Sequence, residues 1–375
     1  MKLLLFTPKL SMGGAQQVAT LLAFALKKSN HEVIIVTPDS KGELSNIKKN
    51  INIVDLETNK PIKSTKKLSD LIKSFNPDAL ICFGIYTGIA AALSKAIFRW
   101  TPIILIRNEN NLATDWKQGS LLNKIIGPEL SRLAARHAHI IAVSHSLASP
   151  TANFLRINTK RVTTILNPVL DDTKSQAYLR TTSLHPWLLD KITPIFVAMG
   201  RLEHQKGFDV LIAAFAKVRR TSNARLVIFG KGSLHDVLQA QISELQLQES
   251  VVLAGHTDSP MVQMGAATAF VLSSRFEGFG LVLVEALRAG TQVISTNCDF
   301  GPAEILENGR YGTLVPVDDE IALANAMIGI LNKSLPTEYP SEAWFSQFTA
   351  TKAANQHVAL IESLLPNPPQ NELLK

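Results

Sequence analysis

The chain has 375 residues, 46% of them hydrophobic and 18% charged, and a net charge of +7. That length suits two domains of roughly 150–200 residues each, and that balance excludes a disordered, collagen-like or coiled-coil chain. The charge is uneven: residues 1–168 carry 22 Lys+Arg against 10 Asp+Glu, and residues 169–375 carry 16 against 21, so the first half is the one suited to an anionic partner.

The opening MKLLLFTPK has only a short apolar run before Pro8 and Lys9, too short for a signal peptide, and Lys2–Thr7 reads as a strand. A helix is expected over Ala15–Lys28 and a strand over Glu32–Thr37. Lys60, Lys63, Lys66, Lys67 and Lys73 then crowd a segment whose Leu68, Leu71, Ile72 and Phe75 form one stripe of a helix. Either that stripe docks the helix on its own sheet and leaves the lysines in water, or the lysines meet an anionic leaflet or the diphosphate of a lipid-linked acceptor. Strands follow at Ala79–Phe83, Ile103–Arg107 and Ile140–Ser144. His137, His139 and His145 flank the last of them and read as structural. The longest uncharged stretch, Ala79–Ser94, is shorter than the roughly 20 residues that a membrane helix needs.

Strands buried on both faces, each followed by a helix, indicate a doubly wound parallel sheet. Asp171–Pro194 lacks periodicity and carries Pro186 and Pro194, which places the domain boundary there or just before. The pattern then restarts, with strands at Ile195–Gly200, Arg225–Gly230, Val251–Ala254, Ala269–Leu272 and Gln292–Ser295, and helices such as Asp209–Arg220 and Leu281–Ala289. The fold class is α/β with two Rossmann-like domains, 1–168 and 169–340. A helix at about 340–365 is expected to pack back on the first domain, and 366–375 reads as a frayed tail. Cys82 and Cys298, both in apolar surroundings, make no disulfide framework and suit a reducing cytoplasm.

Three motifs carry chemistry. Ser11-Met12-Gly13-Gly14-Ala15 follows the first strand, where paired glycines admit a ligand close to the backbone and the next helix offers amides to an anion. Alone, it is equally a tight turn. The G-x-G-x-x-G spacing is absent, and Asp39 lies beyond Pro38, so a dinucleotide dehydrogenase fits poorly. Gly200-Arg201-Leu202-Glu203-His204-Gln205-Lys206-Gly207 places two cations five residues apart on a strand-to-helix loop, able to converge on one diphosphate. The third motif, Glu277-Gly278-Phe279-Gly280-Leu281-Val282-Leu283-Val284-Glu285, brackets a glycine turn and an apolar helix start with two carboxylates. Such a turn suits phosphate on its amides and sugar or ribose hydroxyls on its carboxylates.

With these motifs the chain resembles the family-4 retaining glycosyltransferases of the GT-B fold, and the resemblance spans almost its whole length. Asn167-Pro168 resembles the family's interdomain signature. Gly301-Pro302-Ala303-Glu304-Ile305-Leu306 is similar to a subgroup that adds hexoses or N-acetylhexosamines to bacterial surface glycans. The resemblance implies two Rossmann-like domains facing across a cleft, with the acceptor on the first and a nucleotide sugar, UDP-linked, on the second. Arg201 and Lys206 would hold the donor diphosphate, Glu277 the transferred sugar and Glu285 the ribose. Gly278, Phe279 and Gly280 would give backbone contacts, and Gly14 would approach the diphosphate from the opposite domain. No metal or other cofactor is implied, and no D-x-D motif occurs; the nearest acidic cluster is Asp318-Asp319-Glu320.

The chain departs from the family in two places. No His follows Ile106-Arg107-Asn108, so an acceptor role there passes to Glu109 or Asn110, with Trp116 nearby, and Ala303 stands where several members of the subgroup have Arg. The expected partners are a nucleotide sugar, a glycan or lipid-linked acceptor and an anionic membrane surface, with no nucleic acid. The expected location is cytoplasmic, on the inner face of the cytoplasmic membrane. A nucleotide-sugar 2-epimerase and a non-catalytic glycan or nucleotide binder are the competing readings; the intact Arg201, Lys206, Glu277 and Glu285 weigh against the binder.

Overall fold

The computed structural model describes residues 1–9, 13–39, 50–117, 121–171, 184–334 and 338–365. Ser11 and Met12 of the first glycine motif, most of the stretch between the domains and the tail at 366–375 lie outside the described residues. The chain divides into two compact units, Met1–Val169 with Phe348–Lys375, and Leu170–Gln347.

The first unit runs β1 (Lys2–Phe6), α1 (Gly14–Lys28), β2 (Glu32–Thr37), β3 (Asn52–Asp55), α2 (Thr65–Phe75), β4 (Ala79–Phe83) and α3 (Ile85–Phe98). It continues with β5 (Ile103–Asn108), α4 (Leu112–Lys117), α5 (Leu121–Arg136), β6 (His139–Ala142), α6 (His145–Leu155) and β7 (Val162–Thr164). All seven strands are parallel, in the order β3-β2-β1-β4-β5-β6-β7. The apolar runs of β1 and β4 are buried on both faces, which only a sheet covered by helices on each side permits. On one side, α2, α3 and α5 lie side by side.

The second unit runs β8 (Ile195–Met199), α7 (Phe208–Val218), β9 (Arg225–Phe229), α8 (His235–Glu244), β10 (Val251–Gly255), α9 (Pro260–Gly265) and β11 (Ala269–Leu272). Then come α10 (Leu281–Arg288), β12 (Gln292–Thr296), α11 (Pro302–Ile305), β13 (Thr313–Val315), α12 (Glu320–Leu331) and α13 (Glu342–Phe345). Its six strands are parallel, in the order β10-β9-β8-β11-β12-β13. The core lies between this sheet and α7, α8 and α12, with Phe196 and Phe215 edge to face at 6.4 Å. From Phe348 the chain belongs to the first unit again, where α14 (Ala350–Leu364) packs along α1.

In each sheet the strand order reverses once, between β1 and β4 in the first and between β8 and β11 in the second. Doubly wound sheets bind ligands at such a reversal, beyond the carboxyl ends of the two strands. Among the described residues, no helix is long and apolar enough to cross a membrane.

Candidate active site

In the second unit, the loops leaving β8 and β11 meet at that reversal and are tied together by hydrogen bonds to their backbone carbonyls. Arg275 N–H donates to the Gln205 carbonyl at 2.8 Å. The Gln205 side-chain amide donates to the Phe276 carbonyl at 2.9 Å, and the Ser273 hydroxyl to the Lys206 carbonyl at 2.8 Å. Gly207 makes the approach possible. Its φ of 60° is left-handed, and a Cβ there would collide with the Ser273 carbonyl oxygen.

This closure brings Lys206 and Glu277 together. The lysine Nζ lies 2.6 Å from Glu277 Oε1, with side chains 15% and 8% exposed. Ser274 donates to the same oxygen, also at 2.6 Å. The carboxylate is thus held by a cation and a hydroxyl in a largely buried place. Arg201, five residues earlier, is exposed, and its guanidinium donates to Gln205 Oε1 at 3.2 Å.

Glu277 precedes the turn Gly278-Phe279-Gly280, and Gly280 caps the N-terminus of α10. Glu285, fifth residue of α10, is buried, as are Gly278, Phe279 and Gly280. The ring of Phe279 fills the interior. The loop after β12 packs on this turn: Gly301, at φ 99°, comes so close that a Cβ would collide with the Phe279 carbonyl oxygen. Cys298 in that loop is buried, and burial, with the charge of Glu277 adding to it, pushes its thiol up to about 12.

Arg275 was not singled out from the sequence. Its guanidinium donates to both carboxylate oxygens of Asp209 at the head of α7, at 2.9 and 2.7 Å, and to the His204 carbonyl at 2.8 Å. It also pairs with Asp318 at 2.7 Å, while the neighbouring Asp319 caps α12. Burial pushes Asp209 upward, but its bonds from Arg275 outweigh this and hold it below the usual carboxylate range. The acidic cluster noticed at Asp318-Asp319-Glu320 is thus part of the scaffold around the two loops.

In the first unit, Gly14 is exposed at the start of α1, and Gly13 is its N-cap. Glu109 does not stand free for an acceptor. Through Oε1 it pairs with Arg107 Nε at 3.1 Å. Arg107 is fully buried at the end of β5; its Nη1 bonds His357 Nε2 at 2.9 Å and its Nη2 donates to Asn167 Oδ1 at 2.5 Å. Its guanidinium carbon lies 5.5 Å from the Phe83 ring centre. His357 of α14 is bonded through Nδ1 to the Ala353 carbonyl at 2.7 Å, which leaves Nε2 to accept from Arg107. Burial, then the charge of Arg107, lowers its pKa to about 3. Asn110 is half-buried next to Glu109. Trp116 is buried, with its indole N–H on the Ser131 hydroxyl at 3.2 Å and Tyr86 edge to face at 5.0 Å.

Lys63 lies on a 3-10 turn at Pro61–Ser64, and Lys66 and Lys67 on the first turn of α2; all three are exposed. Lys67 pairs with Glu57 at 3.2 Å. Leu68 and Ile72 are buried in the core, and Leu71 and Phe75 pack partly against it, so the stripe docks α2 on its own sheet. Among the described residues, no group of three or more His, Cys, Asp or Glu is placed to hold a metal.

Two family models cover most of the chain: "Glycosyltransferase Family 4" matches residues 12–172, and "Glycosyl transferases group 1" matches 180–343. The chain is 28% identical over 333 residues to the N-acetylgalactosamine-N,N'-diacetylbacillosaminyl-diphospho-undecaprenol 4-alpha-N-acetylgalactosaminyltransferase of Campylobacter jejuni, covering 85% of this chain and 87% of that protein. It is 24% identical over 370 residues to the N-acetyl-alpha-D-glucosaminyl L-malate synthase of Bacillus anthracis, covering 95% of both. Among solved structures, Anabaena HepE in complex with UDP and glucose superposes with a TM-score of 0.79 at 20% identity, covering 96% of this chain and 99% of that one.

Proposed function

The chain belongs to the family-4 glycosyltransferases of the GT-B fold, and from that premise we propose that it moves a hexose or N-acetylhexosamine from a UDP-sugar to a lipid-linked or surface-glycan acceptor. Transfer proceeds with retention and without a metal, at the inner face of the cytoplasmic membrane. The observation that carries the reading is the Lys206–Glu277 pair, set where the second sheet reverses its strand order. A diphosphate and a sugar are joined in the donor, and here a cation and a hydrogen-bond acceptor stand side by side.

Lys206 and the exposed Arg201 bind the diphosphate oxygens and neutralise the charge that grows on them as the sugar departs. Glu277 is already engaged through Oε1 and takes sugar hydroxyls through Oε2. Glu285 receives the ribose hydroxyls, and the turn at Gly278, Phe279 and Gly280 offers its backbone to sugar and phosphate. In the first unit, Gly14 offers the start of α1 to an anion, and Asn110, beside the Arg107-anchored Glu109, is the acceptor-side group. The acceptor oxygen attacks the anomeric carbon on the face that the phosphate leaves. The new C–O bond forms as the C–O bond to phosphate breaks, and the acceptor proton passes to a phosphate oxygen.

The lipid-linked acceptor follows the Campylobacter relative, whose name specifies a diphospho-undecaprenol substrate. The UDP donor follows the Anabaena structure, which holds UDP and glucose. The test is a panel of UDP-sugars with and without undecaprenyl-diphosphate-linked saccharides, with products read by NMR. The expected result is acceptor-dependent transfer giving an α-linked product from an α-donor. A β-linked product refutes retention, and interconversion of the UDP-sugar without any acceptor refutes transfer itself.

A further inference from the structure

The first sheet reverses its strand order between β1 and β4, and Gly84 alone joins β4 to α3. Its φ is 87°, and its N–H donates to the Arg107 carbonyl at 3.0 Å, which ties the start of α3 to the end of β5. A Cβ at Gly84 would meet no atom within 4 Å, so the space over the end of β4 is open. Two residues on, in the first turn of α3, Tyr86 shows 48% of its surface. Among the described residues of the first unit, the exposed Phe, Tyr and Trp side chains are Tyr86 and Phe24. Phe24 lies late in α1, toward the opposite end of the sheet.

The Tyr86 ring is held in place. Trp116 of α4 meets it edge to face at 5.0 Å and is itself buried, with its indole N–H on the Ser131 hydroxyl at 3.2 Å. Gly127 of α5 comes so close to the indole that a Cβ there would collide with it. The start of α4 is fixed in turn. Asn111 Oδ1 accepts from the Ala113 N–H at 3.1 Å, and the Asn111 carbonyl accepts from the Asp115 N–H at 3.0 Å. Asp115 is half-buried beside Trp116, and after burial it is the charge of Asp115 that raises the Tyr86 phenol above its ordinary value.

A fixed aromatic face next to a carboxylate has the two features that a pyranose needs. One face of a sugar ring is made of C–H groups and packs on the aromatic ring, while its hydroxyls donate to the carboxylate. The surrounding charges suit a neutral ligand better than an anion. Glu109 and Asp115 both follow β5, and the one cation ending that strand, Arg107, is buried and bonded to Glu109. The exposed cations described on the segments leaving β1, β4 and β5 are Lys9 and Lys117, and Lys117 stands about 200° round α4 from Asp115.

We propose that Tyr86 and Asp115 form a pyranose-binding subsite that reads the terminal sugar of the acceptor, Tyr86 by stacking and Asp115 by accepting from its hydroxyls. This rests on the glycan acceptor proposed above and names the side chains that select it.

The test is saturation-transfer NMR of the full chain with the methyl α-glycosides of glucose, galactose, N-acetylglucosamine and N-acetylgalactosamine, and with uridine as a second stacking ligand. Wild type is expected to bind at least one glycoside, and Tyr86→Ala to weaken that binding about tenfold, the worth of one stacked ring. Tyr86→Phe keeps the ring and should bind as wild type does. Asp115→Asn should weaken binding and narrow the difference between the epimeric glycosides. In transfer assays, Tyr86→Ala should raise the acceptor KM and leave the UDP-sugar KM in place, a split that a general loosening of the fold does not produce. Absence of glycoside binding by wild type, or equal binding by wild type and Tyr86→Ala, overturns the inference. So does a Tyr86→Phe variant that binds no better than Tyr86→Ala, because the ring is then not what holds the sugar. Loss of uridine binding or a higher donor KM in Tyr86→Ala also overturns it, by assigning the ring to a nucleobase. Absence of transfer by wild type from any UDP-sugar sinks the functional reading instead, and the NMR result still decides whether this site takes a sugar.

Discussion

Replacing Lys206 separates two roles that the pair with Glu277 combines. Lys206→Met removes the cation 2.6 Å from Glu277 Oε1 and leaves that carboxylate with Ser274. Breaking a buried pair by deleting one partner costs about 3–5 kcal/mol. Lys206 keeps some exposure, so about 2–3 kcal/mol of stability is expected here. If the lysine also neutralises the departing diphosphate, turnover falls by about two orders of magnitude or more, near 3 kcal/mol of barrier. Adding Glu277→Gln removes the orphaned charge, so the double variant should regain most of the lost stability. Its turnover should stay at least as low as that of Lys206→Met, because no cation has returned to the leaving group. Urea denaturation reads the first quantity and donor consumption with saturating acceptor the second. A double variant that recovers both would show that Lys206 serves only to hold Glu277, and the proposed leaving-group role would fall.

Donor consumption is expected to persist in EDTA, because side-chain cations meet the diphosphate; loss of turnover that magnesium restores would refute this. His357 predicts a pH dependence of stability. Its folded pKa, near 3, lies below its ordinary 6.5, so the unfolded chain binds a proton that the folded chain refuses. Stability should therefore fall as pH drops from about 6.5 toward 4, and His357→Gln, whose carbonyl still accepts from Arg107, should flatten that part of the slope. Identical slopes for both proteins in urea titrations would show that His357 does not set it.

The central strands were legible because both faces are buried, so their sequences are unbroken apolar runs, as in LLLF of β1, ALICF of β4 and IFVAM of β8. The strands that sequence reading missed are β3, β7 and β13, and all three lie at sheet edges. An edge strand has a neighbour on one side only. These three are short and mostly half-buried, so NIVD, VTT and TLV carry neither a long apolar run nor a clean alternation. On α2 the spacing of the apolar stripe was legible, and the burial of Leu68 and Ile72 shows that the stripe is spent on the core.

The same limit governs the charged residues. Lys206 and Glu277 stand out in sequence because each sits in a glycine-marked loop, yet their contact spans 71 positions and depends on which strands are neighbours. Arg107 gave a weaker signal, a cation ending the apolar run Ile103-Ile104-Leu105-Ile106. Its partners Asn167 and His357 lie 60 and 250 positions away. Burial then sorts the cations by what each is able to do. Arg107 has no exposed surface, and its charge is met by Glu109, Asn167 and His357, so it reaches no ligand and acts through the carboxylate it positions. Arg275 is spent on Asp209 and Asp318 and holds loops. Lys206 lies on Glu277 Oε1 with 15% of its side chain still exposed, and the exposed Arg201 donates to the neutral amide of Gln205. The diphosphate of the proposed donor would therefore meet Lys206 and Arg201, while Arg275, bonded to Asp209, Asp318 and the His204 carbonyl, ties its own loop to the one that carries them.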